Sequence, residues 1–162
     1  MPLHNTILHN STTKVFIWKI EESLYELRTT IDLSEYSKKR IDNMKSESHI
    51  KGFLAVRKLL EVAGINDYDL FYTKDGKPHL KDGRIISISH SFDFSAIAIS
   101  KSEIGIDIEK NRDKIQRISS KFIGSENNYL CKEKLTEQLT VIWGAKESLF
   151  KIYIKLVVIF VK

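Results

Sequence analysis

The chain has a single cysteine, Cys131, in 162 residues. That excludes an internal disulfide and suits a reducing cytoplasm. The N-terminus lacks the basic region and apolar run of a secretory signal. The most apolar stretch, residues 156–161, is far shorter than the ~20 residues a membrane-spanning helix needs. Zinc-type cysteine and histidine spacing is missing, as are a glycine-rich phosphate loop and strands that interleave aromatic with basic residues. A nucleic-acid-binding domain would therefore rest on charge alone. Charge is present: the formal net value of +5 favours an acidic partner, be it a nucleotide cofactor, an acidic protein or nucleic acid, and does not choose among them. A 42% hydrophobic and 29% charged composition is that of a globular protein. The length allows a buried core, as one domain or two small packed halves.

Hydrophobic periodicity divides the chain into strands and helices. Residues 15–20 alternate and are β-branched or aromatic, which predicts a strand. A helical tract follows from about Ser34, with Asp32 or Ser34 as its cap. It turns amphipathic after His49, through Phe53, Leu54, Val56, Leu59, Leu60 and Ala63, and stops at Gly64. Asp75-Gly76 and Asp82-Gly83 signal turns. Strands are predicted at residues 85–89, 94–100 and 103–109, the last two as a hairpin turning near Lys101 and Ser102. Beyond Lys110 the pattern is helical again, with Leu135, Leu139, Ile142, Leu149 and Ile152 assigned to one face. Cys131 and Trp18 read as packing residues.

Two segments carry chemistry. In Gly105-Ile106-Asp107-Ile108-Glu109-Lys110, strand alternation puts Ile104, Ile106 and Ile108 on one face and Asp107 and Glu109 on the other. The two carboxylates then stem from Cα atoms roughly 6.6 Å apart, near enough to reach one cation. In the helical segment from Trp143 to Lys151, Trp143, Glu147 and Lys151 recur every four residues and share a face. Two strand carboxylates, a helix carboxylate and a lysine one turn further on describe a site for a hard divalent ion with a phosphate.

These motifs closely resemble the signature of the phosphopantetheinyl transferase superfamily, in particular its surfactin-synthetase-activating type. Further matches occur in the family's order: Phe53-Leu-Ala-Val-Arg57, Gly76-Lys77-Pro78, Ile88-Ser89-His90-Ser91, and residues 121–126. The resemblance implies an α+β fold of two pseudo-symmetric halves, each a small antiparallel sheet packed with helices, here at residues 1–102 and 103–162. It implies transfer of 4′-phosphopantetheine from coenzyme A to a serine of an acyl or peptidyl carrier protein, releasing adenosine 3′,5′-bisphosphate. Mg²⁺ would be held by Asp107, Glu109 and Glu147. Glu147 would accept the serine proton, and Lys151 would stabilise phosphate charge. Arg57, Lys77, Ser89 and His90 would hold the nucleotide end of coenzyme A. Carrier proteins of this system are typically acidic, which agrees with the basic chain.

One departure concerns the end of the sequence. Family members usually continue past the second motif with a glycine-containing loop and several more strands, whereas Ile154 stands where a glycine often follows the helix. The expectation is an incomplete second half. Its apolar tail would then complete a stunted sheet or pair with another copy of the chain. The alternative function is a catalytically impaired relative that binds only coenzyme A or a carrier protein.

Overall fold

Alternating residues drive the first half. In the computed structural model, which describes residues 3–153, four antiparallel strands form one sheet: β1 (Leu3–Asn10), β2 (Thr13–Lys19), β5 (Ile85–Ser91) and β6 (Phe94–Ser100). Their order is β1-β2-β6-β5. The register pairs Ile97 with Phe16 and with Ile88, and Ile99 with Ile86, so one face collects large apolar side chains. A second, two-stranded sheet pairs β3 (Leu70–Tyr72) with β4 (Pro78–Leu80).

Three helices cover the first half. The serine caps of α1 (Leu24–Thr29) and α2 (Glu35–Asp42) are Ser23, in a capping box with Glu26, and Ser34. The tract predicted to run on from Ser34 breaks after Asp42, and α3 (Glu47–Val62) carries the amphipathic stretch. α3 ends where Gly64 takes a φ of 72°, a left-handed conformation that an L side chain resists. Leu59, Leu60, Val56 and Ala55 of α3 pack with Phe16, Trp18, Ile86, Ile97 and Ile99 into one core. Phe53 and Leu54 join Leu27, Ile31, Leu33, Ile41 and Ile50 in a second.

Arg57 lies deep between these elements, 2% exposed. Its Nε donates to Asp67 Oδ1 at 2.9 Å, Nη2 donates to Ser37 Oγ at 3.2 Å, and its guanidinium carbon lies 3.5 Å from the Phe53 ring centroid. Asp67 also accepts from the amide and hydroxyl of Ser34, the α2 cap. Burial alone would push the Asp67 carboxyl up. The bonds from Ser37 and Ser34 and the Arg57 charge outweigh it and hold the carboxyl below its ordinary value.

The mixed α+β class with small antiparallel sheets holds. Two strand readings need correction. The hairpin is β5–β6, turning through Phe92 and Asp93, not β6 with residues 103–109. Residues 103–109 carry no ladder; the Ile106 and Ile108 amides are met by the Ser87 and Ser89 hydroxyls. After them come short 3-10 turns and then α4 (Leu135–Ile152). On α4 Leu139 is buried, but Leu149 is 55% exposed, so the predicted apolar face is not uniformly covered. Cys131 is exposed rather than packed, whereas Trp18 is buried as expected. The apolar tail at residues 156–161, with the sheet completion and self-pairing expected of it, lies outside the described residues.

Candidate active site

The site is built in layers around β5. His90 pairs with Ser95, whose hydroxyl donates to the Gly52 carbonyl of α3, so the Ile86, Ile88 and His90 face of β5 looks towards α3. A methyl group on Gly52 would stand 2.9 Å from His90 Cδ2, which shows how closely the imidazole lies on that helix. Ser87, Ser89 and Ser91 project from the other face of β5 and meet residues 105–109.

These residues are in turn pressed against α4. A Cβ on Gly105 would fall 1.9 Å from the Ser148 carbonyl oxygen, so no side chain fits there. Lys151 reaches back from the last turn of α4, its Nζ donating to the Ile106 carbonyl and to Asp107 Oδ1, each at 2.8 Å. Ser89 Oγ donates to the same Asp107 oxygen at 2.9 Å. Asp107 Oδ2 is buried and has no hydrogen-bond partner. A Cβ on Gly144 of α4 would lie 3.6 Å from it, in ordinary van der Waals contact.

Glu109 is exposed and accepts from Ser91 Oγ at 3.3 Å. Glu147 is half-buried. Burial first, and then the Asp107 charge, raise its carboxyl above the ordinary value; Glu109 adds to the effect and Lys151 opposes it. The three carboxylates thus share one electrostatic environment. Among the described residues, however, no three His, Cys, Asp or Glu side chains are gathered as a ready-made ligand set. Lys151, Ser89 and Ser91 take up carboxylate oxygens instead.

Beside this cluster lies a cavity of about 540 Å³, within the range of small-molecule sites. Arg57, Lys77, His90 and Lys151 all line it, so four residues singled out from the sequence meet at one hollow. Their freedom differs. Arg57 spends its hydrogen bonds on Asp67, Ser37 and the Phe53 carbonyl and builds the wall. Expected among the groups gripping the nucleotide, Arg57 lines the cavity but already holds these protein partners. Lys77 Nζ donates to Glu103 and to the Ile152 carbonyl at 3.3 and 3.4 Å. His90 is held below its ordinary value by partial burial first, then by the charges of His49 and Lys151. Ser89, expected at the nucleotide, is turned to Asp107.

Two contributors, Arg40 and His49, were not read from the sequence, and Lys146, a residue of the Trp143–Lys151 motif, was given no role there. Arg40 lines the cavity, with its guanidinium carbon 4.8 Å from the Tyr72 ring centroid and 5.6 Å from that of Phe53. It sits in a polar tract without a distinguishing pattern. His49 stands edge-on to His90, ring centroids 6.1 Å apart, one turn before the apolar stretch of α3. Lys146 pairs with Glu126 at 2.7 Å and also donates to the Phe122 carbonyl. It therefore ties the 122–126 segment to α4, while Trp143 packs edge-on against Phe122.

Comparison with known proteins agrees with this geometry. The family model described as "4′-phosphopantetheinyl transferase superfamily" matches residues 103–159, the stretch that contains both carboxylate motifs. The chain is also 32% identical over 108 residues to 4′-phosphopantetheinyl transferase gsp of Aneurinibacillus migulanus. That alignment covers 62% of this chain and 45% of the relative, so the chain spans about half of that protein's length. Residues 103–159 are therefore similar to the 4′-phosphopantetheinyl transferase superfamily.

Proposed function

We propose that the chain transfers 4′-phosphopantetheine from coenzyme A to a serine hydroxyl of an acidic acyl or peptidyl carrier protein, as a member of the surfactin-synthetase-activating type. One observation carries the reading: a cavity lined by His90, Lys77 and Lys151 adjoins a buried carboxylate, Asp107, whose second oxygen has no partner. A buried polar atom left open in this way suits a hard cation, and the donor set is all oxygen. Asp107, Glu109 and Glu147 are the residues that would hold Mg²⁺. When bound, it would neutralise charge on phosphate oxygens.

The serine oxygen attacks the β-phosphorus of the coenzyme A pyrophosphate. The new O–P bond forms as the bridging P–O bond breaks, and adenosine 3′,5′-bisphosphate leaves. Glu147 accepts the serine proton, a role that its raised carboxyl pKa serves by improving its basicity. Lys151, on the wall shared by the cavity and Asp107, balances charge on the leaving phosphate. His90 and Lys77 receive the nucleotide end, with Arg57 shaping the wall behind them. Residues 1–102 would supply most of the coenzyme A cavity and residues 103–162 the carboxylates and proton transfer. The site of action would be the cytoplasm.

Mixing the chain with coenzyme A, Mg²⁺ and an apo carrier protein, then weighing the carrier, tests the reading. A mass gain of one phosphopantetheine group on the acceptor serine is expected. Coenzyme A binding without a mass gain would replace transfer by binding alone.

A further inference from the structure

Residues 103–109 read as a strand in sequence yet make no backbone ladder. Among the described residues, no backbone-to-backbone hydrogen bond outside helices and strands involves them. What holds them is a row of hydroxyls. Ser87 Oγ accepts the Ile106 amide at 3.0 Å, and Ser89 Oγ accepts the Ile108 amide at 3.3 Å. Ser89 Oγ donates to Asp107, and Ser91 Oγ donates to Glu109.

The offset between partners is constant at 19 residues for the two amide bonds, so the segment runs alongside β5 in the same direction. Register explains how it comes so close. On β6, Ala98 pairs with Ser87 and Ala96 with Ser89, so this face of the sheet carries small side chains beneath the segment.

We infer that Ser87, Ser89 and Ser91 are positioning residues: a period-two row of hydroxyls replaces a backbone ladder and sets where Asp107 and Glu109 stand. Each hydroxyl has a distinct task. Ser87 fixes backbone alone, Ser91 fixes a carboxylate alone, and Ser89 does both by accepting from an amide while donating to Asp107. A backbone ladder would satisfy the amides but leave both carboxylates to find their own rotamers. Hydroxyls fix amide and carboxylate together, at the strand's own spacing.

The role in metal binding rests on the proposed function; the role in holding the segment does not. Two measurements on the full chain, without coenzyme A, separate them: amide hydrogen exchange at Ile106 and Ile108, and calorimetric titration with Mg²⁺ alone. Ser89→Ala is expected to speed exchange at Ile108 at least tenfold and to weaken Mg²⁺ about 10- to 100-fold. The melting temperature should change little. Ser89→Thr, which keeps the hydroxyl, should restore both. Ser91→Ala should weaken Mg²⁺ without touching either amide, and Ser87→Ala should speed exchange at Ile106. Wild-type exchange at both amides in Ser87→Ala and Ser89→Ala would overturn the inference. So would affinity losses that track melting temperature and that threonine fails to rescue. If the wild-type chain binds no Mg²⁺, the proposed function fails and the exchange data alone decide the hydroxyl row.

Discussion

Residues up to 100 and residues 101–153 are built on different terms. In the first region a sheet and α3 share one core, and α1 to α3 share another, sealed by the buried Arg57–Asp67 pair. In the second, among the described residues, only Phe122 and Leu139 are buried apolar side chains, while Tyr129, Val141, Leu149, Phe150 and Tyr153 are exposed. Its order comes from what it leans on: serines of β5, the close approach at Gly105, and Lys151 reaching back to Asp107. The first region folds around itself and supplies a wall. The second brings the candidate carboxylates and is placed by polar contacts. At this junction Asp107 and Glu109 are held by Ser89, Ser91 and Lys151 rather than by a packed core.

The comparison breaks most visibly if chemistry is removed without touching the fold. Glu147→Gln keeps the size of a half-buried side chain, so the melting temperature should stay close to wild type. Transfer to an apo carrier protein, followed by mass spectrometry, should fall about 10²- to 10⁴-fold. Retention of full turnover would place the proton acceptor elsewhere.

Removing a partner from the first region should do the opposite. Arg57→Ala leaves Asp67 buried and uncompensated, a change worth ~3–5 kcal/mol of stability. Denaturant unfolding should show this loss, with any loss of transfer following the unfolded fraction.

Gly105→Ala tests the seam between the regions. The added methyl must push residues 105–109 away from the Ser148 carbonyl, at a cost of ~1–3 kcal/mol. Exchange at Ile106 and Ile108 should quicken, whereas amides of β2 and β6 should keep wild-type protection. Loss of protection throughout would mean that the seam holds both regions together.

A smaller effect concerns protons at the cavity. His90 sits below the imidazole value of 6.5, so as pH falls through 6.5 the unfolded state takes up a proton before the folded one does. Stability contributed by the neutral imidazole is therefore present above that pH. It declines as pH falls, levelling off below the folded value. A bound phosphate favours the charged form, so adenosine 3′,5′-bisphosphate should bind with proton uptake in this window. His90→Gln should abolish the uptake when calorimetry is run in buffers of different ionisation enthalpy.

The smallest effect lies within the second region. Lys146, with backbone amides, holds the Glu126 carboxyl at about 2, against an ordinary 4.5. Its stabilising contribution is present above 4.5 and is lost as pH falls towards 2. Glu126→Gln should lower the melting temperature slightly at neutral pH, leave it unchanged near pH 2, and so flatten the acid limb.

Local patterns were enough for much of this protein. Alternation marked β2, β5 and β6; the amphipathic stretch and Gly64 marked α3 and its end; Ser34 marked a cap. The motifs around Asp107 and Glu147 pointed to a candidate site, and the fold brings those two carboxylates close enough to influence each other. What those periods could not decide was partnership. The 103–109 segment has the composition of a strand, but whether it joins a ladder depends on which backbone is available, and the turn at Phe92 and Asp93 had already paired β5 with β6. Arg57 and Ser89 carry donors suited to a phosphate, yet Asp67 claims the first and Asp107 the second. Such choices are made by neighbours distant in sequence. A hydrogen-bonding group goes to the partner that packing delivers, and only the tertiary fold sets which partner that is.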